Sequence, residues 1–265
     1  VGDVIDPFAP AALGPVEVRN RFIKAATFEG RTPRRMVTPE LIEFHRRFAA
    51  GGVGMTTVAY CAVTRAGSTD GHQITLDQPG VGEGLRELTD AVHAEGAAVA
   101  AQIGHAGPVA NPMGTKRPAV APSRVWSPLT AGSSFQNPMY LFRGDAPVAE
   151  MAAMFPPPLR TGIKLFGGRF FRTYPFEEAY LLPTARRFRA ALSLPLVLLG
   201  GINRLDTVRA ALDEGFAFVQ MGRSLLREPD LLERFRSEPG AEATCIHCNK
   251  CMPTIYTTTR CVLAP

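Results

Sequence analysis

Apolar runs alternate with amphipathic segments along most of the chain. Five apolar runs have the length and composition of strands, at residues 22–26, 53–63, 97–103, 196–199 and 216–221. Between them, apolar residues recur at helical spacing, as Leu85, Leu88 and Val92 do before Gly96. Strands that alternate with helices are typical of a parallel sheet with crossover helices. The pattern therefore predicts an α/β fold.

One helix carries its own start and stop signals. Thr38 is a preferred N-cap residue, Pro39 suits the first helical position, and Glu40 places an acid in the first turn. Apolar residues follow at helical spacing until Gly51. These signals predict a helix from residue 39 to about residue 50.

The middle of the chain breaks the alternation. Residues 104–175 are rich in proline and glycine and contain no clear strand–helix unit. An eight-stranded (β/α)8 barrel needs about 250 residues, or roughly 31 per unit. The chain has 265 residues, yet only five of its segments are convincing strands. A barrel that lacks three strands cannot close, and it would expose two sheet edges.

Composition narrows the class of protein. Hydrophobic residues make up 46% of the chain and charged residues 20%, which argues against disorder. The net charge of +5 is spread along the chain, whereas nucleic-acid-binding proteins usually concentrate it on one face. No apolar run approaches the roughly 18 residues of a membrane span, and the first residues resemble no signal peptide. We therefore expect a cytoplasmic protein without nucleic-acid or membrane partners, and an oligomer is possible.

Four of the five cysteines lie within the last 21 residues. Cys245, Cys248, Cys251 and Cys261 form the pattern C-x2-C-x2-C-x9-C, whereas Cys61 lies in a strand run as a buried small hydrophobe. Local clustering favours a metal or thiol site over a disulfide scaffold. The pattern can bind an iron–sulfur cluster or zinc, and unligated thiols are the third interpretation.

Glycines follow two of the predicted C-terminal strands. Glycines at adjacent strand ends expose backbone N–H groups, and Arg223 would add a bidentate phosphate donor. The alternative is a tight turn at Gly200–Gly201 and a surface ion pair at Arg223. Gln102 ends an apolar strand, where a buried amide needs a polar partner.

These motifs, in their order along the chain, resemble those of the Old Yellow Enzyme family, the FMN-dependent ene-reductases. The matching segments are 13–18, 20–30, 102–107, 200–201 and 221–223. The resemblance implies a (β/α)8 TIM barrel over residues 1–243 and a cysteine-rich tail over 244–265. Residues up to about 130 resemble the family as far as the loop after strand three, whereas residues from about 131 onward resemble the end of strand six. About three central βα units are therefore absent, together with the family's pair of residues that binds the substrate carbonyl.

The resemblance implies an FMN site at the C-terminal mouth of the barrel. The implied cofactor-binding residues are Ala25, Ala26, Thr27, Tyr60, Gln102, Gly200, Gly201, Gly222 and Arg223. Thr27, at or next to the position that tunes the flavin potential, and His105 are the catalytic candidates; His105 could equally be a structural loop residue. NADH or NADPH would reduce FMN, which would pass hydride to an activated alkene.

Three alternatives stay open. The cysteine pattern is similar to the [4Fe–4S] loop of 2,4-dienoyl-CoA reductase and trimethylamine dehydrogenase relatives, which favours an iron–sulfur flavoprotein. Absence of the substrate-binding pair favours a degenerate, non-catalytic barrel. An aldolase-type phosphate barrel is disfavoured, because no lysine lies convincingly at a strand end as a Schiff-base candidate.

Overall fold

The computed structural model describes residues 5–107, 110, 116, 139, 142–238 and 240–264. The strands are β1 (Ala11–Leu13), β2 (Val16–Val18), β3 (Phe22–Lys24), β4 (Met55–Ala62), β5 (Ala98–Gly104), β6 (Val197–Leu199) and β7 (Phe218–Met221). The helices are α1 (Pro39–Ala50), α2 (Val81–Ala94), α3 (Val148–Ala153), α4 (Pro157–Phe170), α5 (Leu182–Ala191), α6 (Leu205–Asp213), α7 (Arg223–Arg227) and α8 (Leu231–Ser237). Short 3-10 helices span Arg65–Gly67 and Pro253–Tyr256.

Five strands form one parallel sheet in the order β5-β4-β3-β7-β6. The first strand of this sheet, β3, lies beside its last, β7, as the first and last strands of a (β/α)8 barrel do. The predicted α/β fold is therefore confirmed, and the sheet is an arc of the barrel with fewer strands. All five strands expected from the sequence are present.

The sheet has two edges, β5 and β6, within the described part of the chain. Ile103 on β5 and Leu199 on β6 are 60% and 43% exposed. Helix α4 also presents apolar side chains, since Leu165 and Phe166 are 71% and 68% exposed. Exposure of this extent is unusual for a closed barrel, whose strands have no free edge.

Each face of the sheet has its own core. Phe22 packs with Phe48 of α1 and Leu225 of α7 on the helix side. Its neighbour Ile23 packs with Val18 of the β1–β2 hairpin, on the opposite side. Successive strand residues point to opposite faces, so the apolar run of β3 serves both cores. The hairpin covers one end of the inner core.

Helix α1 begins as predicted. The Thr38 Oγ1 accepts a hydrogen bond from the backbone N–H of Leu41 at 3.2 Å. Gly51 ends the helix against Pro229, where an added Cβ would lie 1.9 Å from the carbonyl oxygen. Only glycine allows this approach of the two backbones.

The region 104–175 differs in part from the prediction. Its described portion contains α3 and α4, and α5 follows, although the sequence indicated no regular unit there. Helix α4 starts within a run of prolines and buries only Gly167 among its residues, so it lacks the apolar stripe by which helices are recognised. The expected break in the resemblance near residues 130–131 lies outside the described residues. No helix in the described ranges is both long and apolar enough to cross a membrane.

Arg19 ties the hairpin to two helix ends. Its guanidinium donates to the carbonyl oxygens of Ala49 (2.5 Å), Val53 (2.7 Å) and Glu95 (2.7 Å). Ala49 lies in the last turn of α1, and Glu95 follows α2. The Ala49 carbonyl also accepts from the Gly52 N–H at 3.0 Å, so Arg19 is its second donor.

We expect Arg19→Ala to lower the free energy of unfolding by about 2–4 kcal/mol, because several carbonyls lose a charged donor at once. Urea-induced unfolding measures this change. Arg86→Ala, at an exposed position of α2, is the matched control and should change stability by less than about 0.5 kcal/mol. Equal losses in the two variants would contradict the role of Arg19.

Candidate functional site

The loops that follow β3, β6 and β7 meet at the carboxyl edge of the sheet and line a cavity of about 480 Å³. This is the position and size expected of a ligand site in a parallel barrel-type sheet. Eight residues predicted from the sequence line it, namely Ala25, Ala26, Thr27, Gln102, Gly200, Gly201, Gly222 and Arg223.

Glycines shape one wall of the cavity. Gly200 and Gly201 have φ values of +109° and +73°, which side chains rarely adopt. A Cβ at Gly201 would also lie 2.7 Å from the carbonyl oxygen of Glu177. The neighbouring wall is formed where the Ala25 N–H donates to the Met221 oxygen at 2.7 Å. The turn after β6 therefore requires glycine, and both glycines line the cavity.

Arg223 lies at the start of α7 between the cavity and the cysteine tail. Its Nη1 donates to the backbone oxygen of Arg143 at 2.8 Å and to Oδ1 of Asn249. The Asn249 amide in turn donates to the carbonyl oxygen of Asp145 at 2.9 Å. The Nε and Nη2 of Arg223 make no hydrogen bond with any described residue. The guanidinium is thus held in place with donors to spare for an anion.

Thr27 receives a hydrogen bond from a buried lysine. The Lys24 Nζ lies 2.7 Å from Thr27 Oγ1, and Lys24 is completely buried. An ammonium group only donates, so the threonine oxygen accepts and its own proton must point elsewhere. Because Thr27 lines the cavity, this hydroxyl can donate to a bound molecule.

Behind Thr27, Lys24 belongs to a buried group of three titratable side chains. The Glu29 Oε1 lies 3.6 Å from Lys24 Nζ and 3.7 Å from His45 Nε2. The His45 Nδ1 hydrogen-bonds Thr56 Oγ1 at 2.8 Å. Burial raises the pKa of Glu29 to about 8 and lowers the pKa of Lys24 to about 8. Burial also lowers the pKa of His45 well below its ordinary value, so His45 is neutral.

Tyr60 is not among the residues that line the cavity. A register shift between Val58 and Cys61 interrupts the alternation of β4 and turns Tyr60 aside. Its hydroxyl hydrogen-bonds Thr69, and its ring lies 5.8 Å from that of Phe28. The contacts of Tyr60 with Thr69 and Phe28 are therefore local ones, outside the cavity lining.

His105 also lies outside the cavity lining. It follows the edge strand β5, where its Nδ1 accepts the Gly107 N–H at 3.0 Å. The ring packs on Gly67, whose added Cβ would fall 2.2 Å from it. This placement matches the structural alternative for His105, because a lone histidine in a glycine-rich loop is free to pack locally.

The structure adds polar residues that sequence reasoning missed. Asn203 Nδ2 lies 2.9 Å from His247 Nε2, and the Ser224 hydroxyl donates to Asn203 Oδ1 at 2.6 Å. The His247 ring stacks on Phe176, and burial, then Arg223, lowers the pKa of His247 to about 4. Gln220 lines the cavity as well, and a polar residue inside an apolar strand is the signal that identified Gln102. Local patterns could not reveal the pairing of Asn203 with His247, which are 44 residues apart.

The four tail cysteines line a second, smaller cavity, together with Arg223 and Arg227. Burial raises the pKa of the Cys245 thiol, and it raises that of Cys251 to about 11. Within the described residues, no group of three or more His, Cys, Asp or Glu side chains is close enough to hold a single metal ion. Cys61 lies apart from this cavity, buried in β4.

Comparisons with known proteins agree on one family. The sequence profile of the NADH:flavin oxidoreductase / NADH oxidase family matches residues 6–139. A 4,4'-dithiodibutanoate disulfide reductase of Rhodococcus erythropolis is 38% identical over 381 positions, which cover 97% of this chain and 94% of that protein. Because this chain has 265 residues, more than 100 of those positions have no counterpart in it. A metal reductase of Desulforamulus reducens is 41% identical over 148 residues, 56% of this chain and 21% of that protein.

Solved structures share the fold. A 2-naphthoyl-CoA reductase in complex with 2-naphthoyl-CoA gives a TM-score of 0.72 at 18% identity, and the match covers 98% of this chain and 57% of that one. Morphinone reductase in complex with tetrahydroNAD gives 0.61 at 16%, covering 96% and 94%. An old yellow enzyme homologue from Zymomonas mobilis gives 0.60 at 17%, covering 97% and 100%.

The raised pKa of Glu29 makes the free energy of unfolding depend on pH. Between about pH 5 and 8 the folded protein keeps a proton on Glu29 that the unfolded chain has released. Raising the pH through this window therefore lowers the free energy of unfolding. We expect the stability of the protein to fall over this range relative to Glu29→Gln, in which Lys24 and His45 still titrate.

Urea-induced unfolding at several pH values measures this difference. Glu17→Gln, at an exposed position of β2, is the control and should follow the unmodified protein at every pH. Curves for Glu29→Gln that stay parallel to those of the unmodified protein would contradict a raised pKa at Glu29.

Proposed function

The chain belongs to the NADH:flavin oxidoreductase / NADH oxidase family, and we propose that the cavity at the carboxyl edge of its sheet is the FMN site through which it reduces a small molecule. As a member of this family the protein is an FMN-dependent oxidoreductase that uses a nicotinamide reductant. The observation that carries the proposal is the convergence of glycine turns, Arg223 and the Thr27 hydroxyl on one cavity.

The residues present fit the phosphate end of FMN. Gly200, Gly201 and Gly222 line the cavity without side chains, and together with the spare donors of Arg223 they are suited to bind a phosphate. Asn203 and Ser224 lie beside this end and hold its loops together. A Cβ at Gly200 or Gly201 would meet neighbouring atoms at 2.7–2.8 Å, so larger residues would distort the cradle.

The ring end would be bound by polar groups of β3 and β5. The Gln102 amide can hydrogen-bond the edge of the flavin, and Ala25 and Ala26 leave room for its plane. Thr27, oriented by Lys24, donates a hydrogen bond into the cavity. Bound FMN would supply two-electron transfer between the nicotinamide and the acceptor, while the protein positions and polarises the reactants.

The proposed acceptor is an activated alkene, as the resemblance implies. A second candidate is a small organic disulfide, because a relative named for disulfide reduction is 38% identical across nearly its whole length. A disulfide needs no polarised carbonyl, and the pair of residues that would bind such a carbonyl is missing from the sequence. Which nicotinamide serves as reductant is tested together with the acceptor.

The ultraviolet–visible spectrum of the purified protein with FMN, recorded anaerobically before and after NADH or NADPH, tests this function. We expect the flavin band to bleach. Its return on adding 2-cyclohexenone would identify an alkene acceptor, and its return on adding 4,4'-dithiodibutanoate a disulfide acceptor. A protein that retains no FMN would favour the degenerate, non-catalytic barrel.

We expect Arg223→Ala to weaken FMN binding at least about tenfold, since it removes a charge-assisted contact with the phosphate. Arg223→Lys should be intermediate, because lysine keeps the charge without the paired donors. Quenching of FMN fluorescence measures the affinity. Arg187→Ala, at an exposed position of α5, serves as the control, and an unchanged affinity in Arg223→Ala would refute the role.

We also propose that Cys245, Cys248, Cys251 and Cys261 bind a [4Fe–4S] cluster. Four cysteines that line one cavity supply the donor set of such a cluster, and they are not gathered around a single ion. The positive charge of Arg223 and Arg227 on the same cavity would stabilise thiolates. On this proposal, residues 1–243 form the FMN-binding unit and residues 244–265 the cluster-binding tail.

We expect Cys245→Ala to lose most of the bound iron and acid-labile sulfide after anaerobic reconstitution. Cys61→Ala is the matched control and should retain both, because Cys61 lies in β4 away from the cavity. Iron and sulfide assays with electron paramagnetic resonance of the reduced protein provide the measurement. Equal iron content in the two variants would contradict the cluster.

A further inference from the structure

A third cavity, of about 820 Å³, lies outside the proposed FMN site. It is bordered by the carboxyl-terminal half of α1, the segment that joins α7 to α8, and the tail at residues 258–264. None of its lining residues lines the FMN cavity. Nothing in the reaction described above uses it.

Four arginines from separate segments face this cavity: Arg31, Arg47, Arg227 and Arg260. The side chains of Arg47, Arg227 and Arg260 make no hydrogen bond or close ion pair with described residues. Arg31 donates from Nη2 to the Thr259 oxygen at 3.0 Å, but its Nε is buried without a partner. The Nη1 of Arg227 is buried without a partner as well. A buried N–H donor without a hydrogen-bond partner is energetically costly unless a ligand accepts its hydrogen bond.

The acidic residues of the lining do not balance these charges. Glu228 is already engaged by Arg234 at 2.7 Å and by Thr244 at 2.7 Å. Asp230 is exposed and is the other acid of the lining. Burial lowers the pKa of Arg31, and the nearby positive charge of Arg47 and Arg260 lowers it further, against an opposing effect of Glu29. The cavity therefore has an excess of positive charge.

The shape and chemistry of the cavity indicate the class of ligand. Phe44 and Phe48 line the concave interior, and the Arg31 guanidinium lies 4.7 Å above the Phe44 ring. A concave site with an apolar wall fits a small molecule better than a flat protein surface does. Guanidinium groups bind phosphate bidentately, and several of them around one space favour a ligand with more than one phosphate.

We propose that this arginine-lined cavity binds a small molecule that carries a diphosphate group, such as a nucleoside diphosphate. The site is separate from the FMN cavity, so the proposal does not depend on the flavin assignment. It does adjoin the cysteine cavity, because Arg227 and Cys261 line both. A bound diphosphate would satisfy Arg227 on the side away from the proposed FMN site.

Isothermal titration calorimetry of the full chain, with and without FMN, tests the proposal with ADP and inorganic pyrophosphate as probes. The test variant is Arg47→Ala/Arg260→Ala, because both side chains are exposed and unpaired within the described residues and their loss should not disturb folding. The control variant is Arg86→Ala/Arg187→Ala, which removes the same charge from exposed positions elsewhere. We expect the test variant to bind the probes about 100-fold more weakly, at about tenfold per arginine, and the control to stay within about threefold.

Tighter binding of ADP than of pyrophosphate would identify a nucleotide as the ligand, and the reverse would identify free diphosphate; either result supports the site. Absence of binding at millimolar concentration would overturn the proposal, as would equal weakening in the two variants, since that reflects net charge alone. Displacement of FMN by ADP would place the probe in the flavin cavity and overturn it too. Binding of polyglutamate without ADP would indicate an acidic polypeptide instead. These results can be interpreted even if the protein does not bind FMN, because the two cavities share no lining residue.

Discussion

β3 and β7 come from opposite ends of the chain and pair in parallel at the centre of the sheet, with Phe22 against Val219 and Lys24 against Met221. Because the strands run in the same direction, their carboxyl ends meet, and residues 25–27 come to lie beside residues 222–223. The Ala25 N–H continues the ladder onto the Met221 oxygen. The cavity proposed to bind FMN and the position of Arg223 both depend on this pairing, and the hydrogen bond from Arg223 to Asn249 connects the cysteine loop to the sheet.

Lys24 does not line the cavity, but it contacts Thr27, which does. Its side chain leaves β3 on the same side as Phe22, toward α1, and lies 4.9 Å from the Phe44 ring. A lysine buried among aromatic rings is unfavourable unless its donors are used, and Thr27 and Glu29 use them. Replacing this polar group with apolar residues could stabilise the fold. The presence of this buried lysine is explained if orienting the Thr27 hydroxyl matters more to the protein than the stability of its fold.

The sequence predicted what local patterns encode. The five sheet strands are apolar runs, several of them next to a glycine, and α1 carries its capping residues, so both were predictable. Eight of the cavity residues follow from strand ends combined with motif order. Tyr60 and His105 lie outside the lining of the cavity, at a register shift in β4 and in a glycine-rich loop after β5, and neither feature has a sequence signal. The contact of Asn203 with His247 depends on how the tail folds back, which no local pattern contains.

In the proposed reaction, the strands of the open sheet account for cofactor binding but not for substrate activation. The loops after β3, β6 and β7 carry the residues proposed to bind the phosphate and one edge of the flavin ring, and all three strands are present and paired. At the two open edges of the sheet, Ile103 of β5 and Leu199 of β6 are exposed. The Rhodococcus relative has more than 100 aligned positions without a counterpart in this chain. On the proposed assignment, the residues that would bind FMN lie in the units that are present, whereas the residues that would polarise a substrate carbonyl belong to the missing units. An organic disulfide, the second candidate acceptor, needs no such polarisation, whereas an enone does.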